Sequence, residues 1–389
     1  MVLRQLGEGR KMLERLREAE VIAEQLRDDR RLGQVCALMA TVHSTLGELD
    51  EALAIGTRGL DIAQRLGDLR VRIVAASHLE QAHYYRGEYE HTVESASNSL
   101  AALPADWAHE NFGMTALPSV FGRAHLIMSL AELGRFAEAA RYEAEATRFA
   151  ESSEHVFTIG WAHFGASMLH LVQGDWAKAR LRVERWIAML RTANVAMLLP
   201  WAVAASAWAL AQSGEASEAL DRIREAEQLL ECEAARGIVA YGGWAYGAVG
   251  RACLLLGQLD AARRLGDRSV ASSRRQSGFT AHALRLLGDI AIDANGFDAE
   301  TGEAYYGEAL ALANRQRMRP LAAHCHLGLG RLYRRAGNTE HTHHCLTIAK
   351  IMYREMEMGF WVNQAEAEIM KAGDAGHIQP AAEVLNVRC

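Results

Sequence analysis

Apolar residues recur at i, i+3, i+4, i+7 spacing on both sides of a series of short glycine-centred turns. The turns read LGELDEAL from Leu46, RGEYEHTV from Arg86, LGRFAEAA from Leu133, QGDWAKAR from Gln173, SGEASEAL from Ser213, LGQLDAAR from Leu256 and AGNTEHTH from Ala336. Their glycines are Gly47, Gly87, Gly134, Gly174, Gly214, Gly257 and Gly337, and a diverged turn, NGFDAETGEA, places Gly296 in the remaining gap. Successive spacings are 40, 47, 40, 40, 43, 39 and 41 residues, which defines eight repeats. In each, the glycine and a following polar or acidic residue end one amphipathic helix and start the next, so the unit is a helical hairpin. Alternating β-branched runs are missing, and Ala, Leu, Glu and Arg dominate, the residues that lose least on entering a helix. One hairpin cannot bury its own apolar face, whereas stacking each on the next makes a continuous core.

The last repeat carries Leu329, Gly330 and Tyr333 ahead of Gly337, a small residue for close helix approach beside large ones that fill the gap. Small residues follow five positions after several turns, at Ala52, Ala139, Ala179, Ala219 and Ala262. This pattern resembles the tetratricopeptide (TPR) repeat, in a variant whose period near 40 exceeds the usual 34. The fold class expected is all-α, a right-handed α-solenoid of about eight TPR-like hairpins over residues 1–370, with 371–389 a disordered tail that has lost the periodicity. The segment RPLAAHCHLGLGRLYRRAGNTEHTHHCLTIAKIMYREMEMGFWVNQAEAEI from Arg319 is similar to the end of the TPR region of bacterial multidomain regulators that join a class III adenylate/guanylate cyclase to an AAA-type ATPase. Pieces from Leu16 and Leu117 are similar to earlier parts of that region. The resemblance implies an interaction module of a bacterial signal-transduction or transcription-regulatory system. Its partner would be a protein or peptide, with a cyclase/ATPase regulator as one candidate. The catalysts of that family are not carried over, since no GxxxxGK[ST] phosphate loop and no paired-Asp metal context occur.

Composition adds limits. The 389 residues include 42 Lys/Arg and 48 Asp/Glu, for a formal charge of −6, which gives no global reason to expect nucleic-acid or anionic-membrane binding. Six cysteines without a CxxC pair suit reduced thiols, and the charged amino terminus is unlike a signal peptide, so a cytoplasmic location is expected. The stretch Thr192–Gly214 is 23 residues without a formal charge, yet Pro200 near its middle and its fit to the repeat read as a buried hairpin helix rather than a membrane span. No nucleophile elbow appears, so no enzyme activity and no cofactor are expected.

Counting back from each turn glycine, positions 13, 10, 6, 3 and 2 share one face of the first helix, the face that generally lines the concave groove of TPR proteins. Phe121, Trp161, Trp201 and Trp244 occupy the first of these positions in four consecutive repeats. Tyr84, Tyr85, Phe164, Met168 and Trp208 extend the stripe, and Arg251, Arg285, Arg331, Arg334 and Arg335 turn it basic toward the end. Two arrangements satisfy this pattern. The stripe lines a groove for a peptide, helix or partner domain, with a small-molecule site at its Trp-rich centre as the alternative. Or the aromatics fill space between hairpins and the arginines are solvated surface. The dense set His324, Cys325, His326, His341, His343, His344 and Cys345 raises the metal question, but the hairpin geometry spreads it too widely, and no metal is expected. His43, His83 and His170, four before their glycines, read as hydrogen-bonded packing residues.

Overall fold

The computed structural model describes residues 8–293 and 295–375, and every regular element among them is helical. The first hairpins are α2 (Asp29–Thr45) with α3 (Leu49–Leu66), α4 (Leu69–Arg86) with α5 (Tyr89–Ala102), and α6 (Pro118–Glu132) with α7 (Phe136–Ser153). Next come α8 (Val156–Gln173) with α9 (Trp176–Thr192), α10 (Leu199–Gln212) with α11 (Ala216–Ala235), and α12 (Gly242–Leu255) with α13 (Leu259–Ser272). The last two are α14 (Ser277–Ala291) with α15 (Ala299–Arg315) and α16 (Arg319–Arg335) with α17 (Thr339–Glu355). Single helices flank them, α1 (Gly9–Gln25) and α18 (Gly359–Ala375). The array is an α-solenoid of eight hairpins. Helix α18 continues to Ala375, past residue 371 where the sequence suggests a tail; positions 376–389 lie outside the described residues.

Seven of the eight turn glycines adopt φ between 73° and 85°, the left-handed region that costs a side-chain-bearing residue about 1 kcal/mol or more. At the first turn Glu48 N donates to His43 O at 2.9 Å and Gly47 N to Ser44 O at 3.1 Å, closing the end of α2 with a Schellman pair. Gly296 departs from the pattern: it is outside the left-handed region, and α15 is started instead by the Asp298 side chain, which accepts from Thr301 N at 3.0 Å. The small positions after the turns, Ala52, Ala139, Ala179, Ala219 and Ala262, are completely buried, and a Cβ on Gly330 would collide with Leu346 of the paired helix. His43 and His83 turn back onto Glu48 and Glu88 at 2.7 and 2.5 Å, and His170 meets Glu143 at 3.3 Å.

First and second helices of the hairpins are buried differently. Helices α6, α8, α10 and α12 have apolar or small residues buried nearly all round, whereas α3, α7 and α11 bury a single stripe. The uncharged stretch Thr192–Gly214 is mostly α10, enclosed on all sides, and no described helix is long and apolar enough to cross a membrane. Enclosure arises because the superhelix meets itself again after five hairpins. Thr45 O at the end of α2 accepts from Val239 N and Ala240 N ahead of α12, at 3.1 and 3.3 Å. Ser277 Oγ donates to Arg86 O at 2.5 Å, joining the second hairpin to the seventh. Glu132 on α6 meets His282 on α14 at 2.9 Å.

The turn glycines form this seam. A Cβ on Gly47 would lie 2.5 Å from Val239, one on Gly87 2.7 Å from Ser277 Oγ, one on Gly174 2.6 Å from Trp361 Nε1, and one on Gly134 would strike Met356. By contrast Gly214, Gly257 and Gly337 have nothing within 4 Å of that position. The first four turns therefore need glycine for close approach as well as for φ. Gly174→Ala should lower Tm measurably more than Gly214→Ala, since both carry the same backbone strain and only the first adds a clash, an overpacking cost of about 1–3 kcal/mol. Equal thermal melts for the two variants would show that the seam contributes nothing.

Candidate functional site

The closed seam decides where the aromatic stripe lies. Tyr84, Tyr85, Phe121, Trp161, Phe164, Met168, Trp201 and Trp244 are all buried in the main core cluster, Trp161 at 1% exposure and Trp244 at 7%. They do not line an open groove. The concave face of the second to fifth hairpins is covered by the sixth and seventh, and the rings meet edge-on and tilted across that contact. Tyr241 is the hub. It lies 5.0 Å from Tyr85, 4.6 Å from Phe164, 4.7 Å from Trp201 and 5.8 Å from Phe279, ring centre to ring centre. Its position in the loop before α12 falls outside the counted face, so no helical periodicity signals it. Around Met168, Trp244 and Phe279 a cavity of only about 30 Å³ remains, room for one or two waters. That leaves the small-molecule alternative little room between Met168, Trp244 and Phe279.

The basic end of the stripe has a different fate. Trp208, Arg251, Arg285, Arg331, Arg334 and Arg335 converge on an open cavity of about 410 Å³ between α10, α12, α14, α16 and α18. Arg251 and Arg285 form its floor, at 7% and 9% exposure, and Arg331 and Arg334 are half-buried on its side. Arg335, exposed on the rim, donates to Ile292 O and covers the Phe297 ring at 4.3 Å. Trp208, Phe360 and Trp361 supply an aromatic wall, braced from behind by Trp176, whose ring centre is 5.6 Å from Trp208 and 5.7 Å from Phe360. The α18 aromatics were not among the residues the repeat pattern marks, because α18 lies beyond the last glycine turn.

Few carboxylates offset these five guanidinium groups. Asp289 lies 3.1 Å from Arg285 and 3.8 Å from Arg251 and accepts from the Tyr306 hydroxyl at 2.7 Å. Asp293 lines the mouth, and Glu368 of α18 reaches Arg331 and Arg334 at 3.4 and 3.1 Å. Burial, followed by repulsion from Arg285, pushes Arg251 down to about 9, so it is still charged at neutral pH. Burial also opposes the charge on Arg285, but Asp289 beside it holds its value up. Glu368 is lowered: burial opposes its ionisation, and Arg331, Lys371 and Arg334 outweigh that. The result is a partly dry pocket with surplus positive charge, a setting in which charge-assisted hydrogen bonds to an anion are strong.

Among the described residues no group of three His, Cys, Asp or Glu side chains is arranged to hold a metal ion. His324 is committed instead to Tyr353, its Nδ1 2.7 Å from the hydroxyl, and its ring packs 4.4 Å from Trp361. Burial, then the neighbouring arginines, holds its pKa well below the usual imidazole value.

Within the closed core, Trp201 Nε1 donates to Glu233 Oε2 at 3.2 Å, and burial raises that carboxyl to about 8. A carboxyl whose folded pKa lies above its unfolded one costs stability as pH climbs from about 4.5 to 8, because the unfolded chain releases the proton first. Glu233→Gln keeps an acceptor for the indole and removes this cost. The variant should be more stable than the wild type by roughly 1–3 kcal/mol at pH 8 and by little at pH 4.5. Parallel denaturation curves at the two pH values check this, and an unchanged difference would refute the burial argument.

No protein-family profile matches the chain. No curated protein matches it either. Solved structures with a similar path of helices include aspartyl phosphate phosphatase F from Bacillus subtilis, at 12% identity over 99% of this chain and 97% of that one, with a TM-score of 0.48. A Rap protein complexed with competence and sporulation factor is similar at 12% identity, over 93% and 85% of the two chains, with a TM-score of 0.45. The Cut9–Hcn1 hetero-tetramer of APC/C follows at 12% identity, 95% and 96% coverage and a TM-score of 0.38. The TPR-like architecture of this chain rests on its own eight hairpins, and the character of its site rests on the arginine basin.

Proposed function

We propose that this protein is a non-enzymatic binding module that captures an acidic segment of a partner protein in the arginine basin, within a bacterial signalling or regulatory assembly. The observation that carries this reading is the convergence of Arg251, Arg285, Arg331, Arg334 and Arg335, from three successive first helices, on one cavity of about 410 Å³. That volume lies within the range of about 300–1,000 Å³ typical of ligand pockets. Guanidinium groups present planar pairs of N–H donors that match carboxylates, and their staging from floor to rim suits a chain bearing several anions in succession. Trp208, Phe360 and Trp361 would hold the apolar parts of the same segment, since rigid rings bury much area with little rotamer loss. The resemblance to TPR regions of cyclase–ATPase regulators makes a regulator of that kind a natural partner, bound through an acidic stretch.

The test uses a fluorescent tetraglutamate peptide, with tetraglutamine as control, in a polarisation titration at low salt. Wild-type protein should bind only the acidic peptide, and affinity should fall as ionic strength rises. Replacing two half-exposed partners together, Arg331→Gln with Arg334→Gln, should weaken binding about tenfold or more, because each hydrogen bond to a charged group contributes about 1.5–3 kcal/mol. Absence of binding by the wild type, or an affinity indifferent to the double substitution, would refute the reading.

A further inference from the structure

The carboxylates paired with or beside the basin's arginines are not equivalent. Asp289 lies in the last turn of α14, the helix that also provides Arg285, and Asp293 just past its end, so they belong to the floor and mouth. Glu368 arrives from outside, on α18, and lies between Arg331 and Arg334 with its side chain only 8% exposed. It follows Trp361 by seven residues, about two helical turns, so the two project from one face of α18. That face docks Trp361 against His324 and Tyr353 and over the turn at Gly174, while Glu368 meets Arg331 and Arg334. Elsewhere α18 is tied by Glu366 to Lys350 and Arg354 at 3.0 and 2.7 Å, exposed pairs of little individual strength. It is also the last helix of the described array, with no hairpin stacked after it, and it packs on α17 and, through Phe360 and Trp361, on the fourth hairpin.

We infer that Glu368 is the basin's resident anion, and that an acidic ligand displaces it from Arg331 and Arg334 and thereby loosens α18. This rests on the acidic-segment reading and adds its regulation. Carboxylates of the ligand and Glu368 compete for the same two guanidinium charges. Once displaced, Glu368 is a buried charge with only Lys371 beside it, 3.2 Å away and on the same helix, which favours undocking of α18 over leaving the charge uncompensated. Binding and α18 docking are then reciprocally coupled: whatever holds α18 in place weakens the ligand, and whatever frees it strengthens the ligand.

Two measurements on the full chain test this with the same tetraglutamate probe. Glu368→Gln removes the competing charge while keeping the shape, and should tighten binding about fivefold or more. In wild-type protein, hydrogen exchange should quicken across residues 359–375 on adding the probe, while α14 and α16 become better protected. Probe binding by the wild type with Glu368→Gln equal or weaker, and with 359–375 unchanged or slowed, overturns the displacement and leaves the acidic-segment reading intact. Failure of both proteins to bind the probe overturns both. The exchange arm needs no variant, so a folding defect in Glu368→Gln, seen as a lowered Tm, does not remove the test.

Discussion

The contact between one superhelical turn and the next governs this molecule. A solenoid that meets itself after five hairpins must press the loops at the ends of its early first helices against the starts of its late ones, and backbone has to approach backbone there. Hydrogen bonds such as Val239 N to Thr45 O, and the absence of room for a Cβ at Gly47, Gly87, Gly134 and Gly174, show how tight that approach is. Dispersion and apolar burial follow from it, because a concave face brought against another concave face loses its water and becomes core. The aromatic hub at Tyr241 exists only through this return of the chain.

The same geometry explains why the interior changes from aromatic to basic. The turn seam joins units five hairpins apart, so the early turns are covered by later elements and the last have no successors. Gly214, Gly257 and Gly337 are open where the first four turn glycines are covered, and the ends of α12, α14 and α16 remain in contact with solvent. Rings are stable in the first environment, since their area is removed from water without stranding charge. Guanidinium groups suit the second, where a few carboxylates offset part of their charge and enough positive charge is left over to attract an anion. Helix α18 occupies the boundary, with Trp361 between the closed core and the basin wall and Glu368 paired with Arg331 and Arg334.

Much of this was legible in the chain. Glycine spacing fixes the hairpins, since a left-handed residue at a helix end is a local requirement, and the alanines five positions later mark where the second helix crosses the first. The histidines four before their glycines find acidic partners, two of them on the residue just past the turn, a matter of local spacing. The face that joins Trp161, Trp201 and Arg331 could likewise be counted from the turns. Gly296 was the local exception, where the Asp298 cap substitutes for a left-handed glycine.

What periodicity could not specify was the pitch of the superhelix. Pitch is the sum of small rotations at every hairpin interface, and a few degrees per unit separate an open groove from one that closes after five units. That sum, and not any single residue, buried Phe121, Phe164 and Trp201, drew Tyr241 and Phe279 from outside the counted face, and brought Asp289 and Glu368 to the arginines. The sequence by itself determined the hairpins, their number and which residues face inward, because those depend on contacts a few residues apart. Tertiary structure alone decided which inward residues touch one another and which touch water, because that depends on units some two hundred residues distant in the chain.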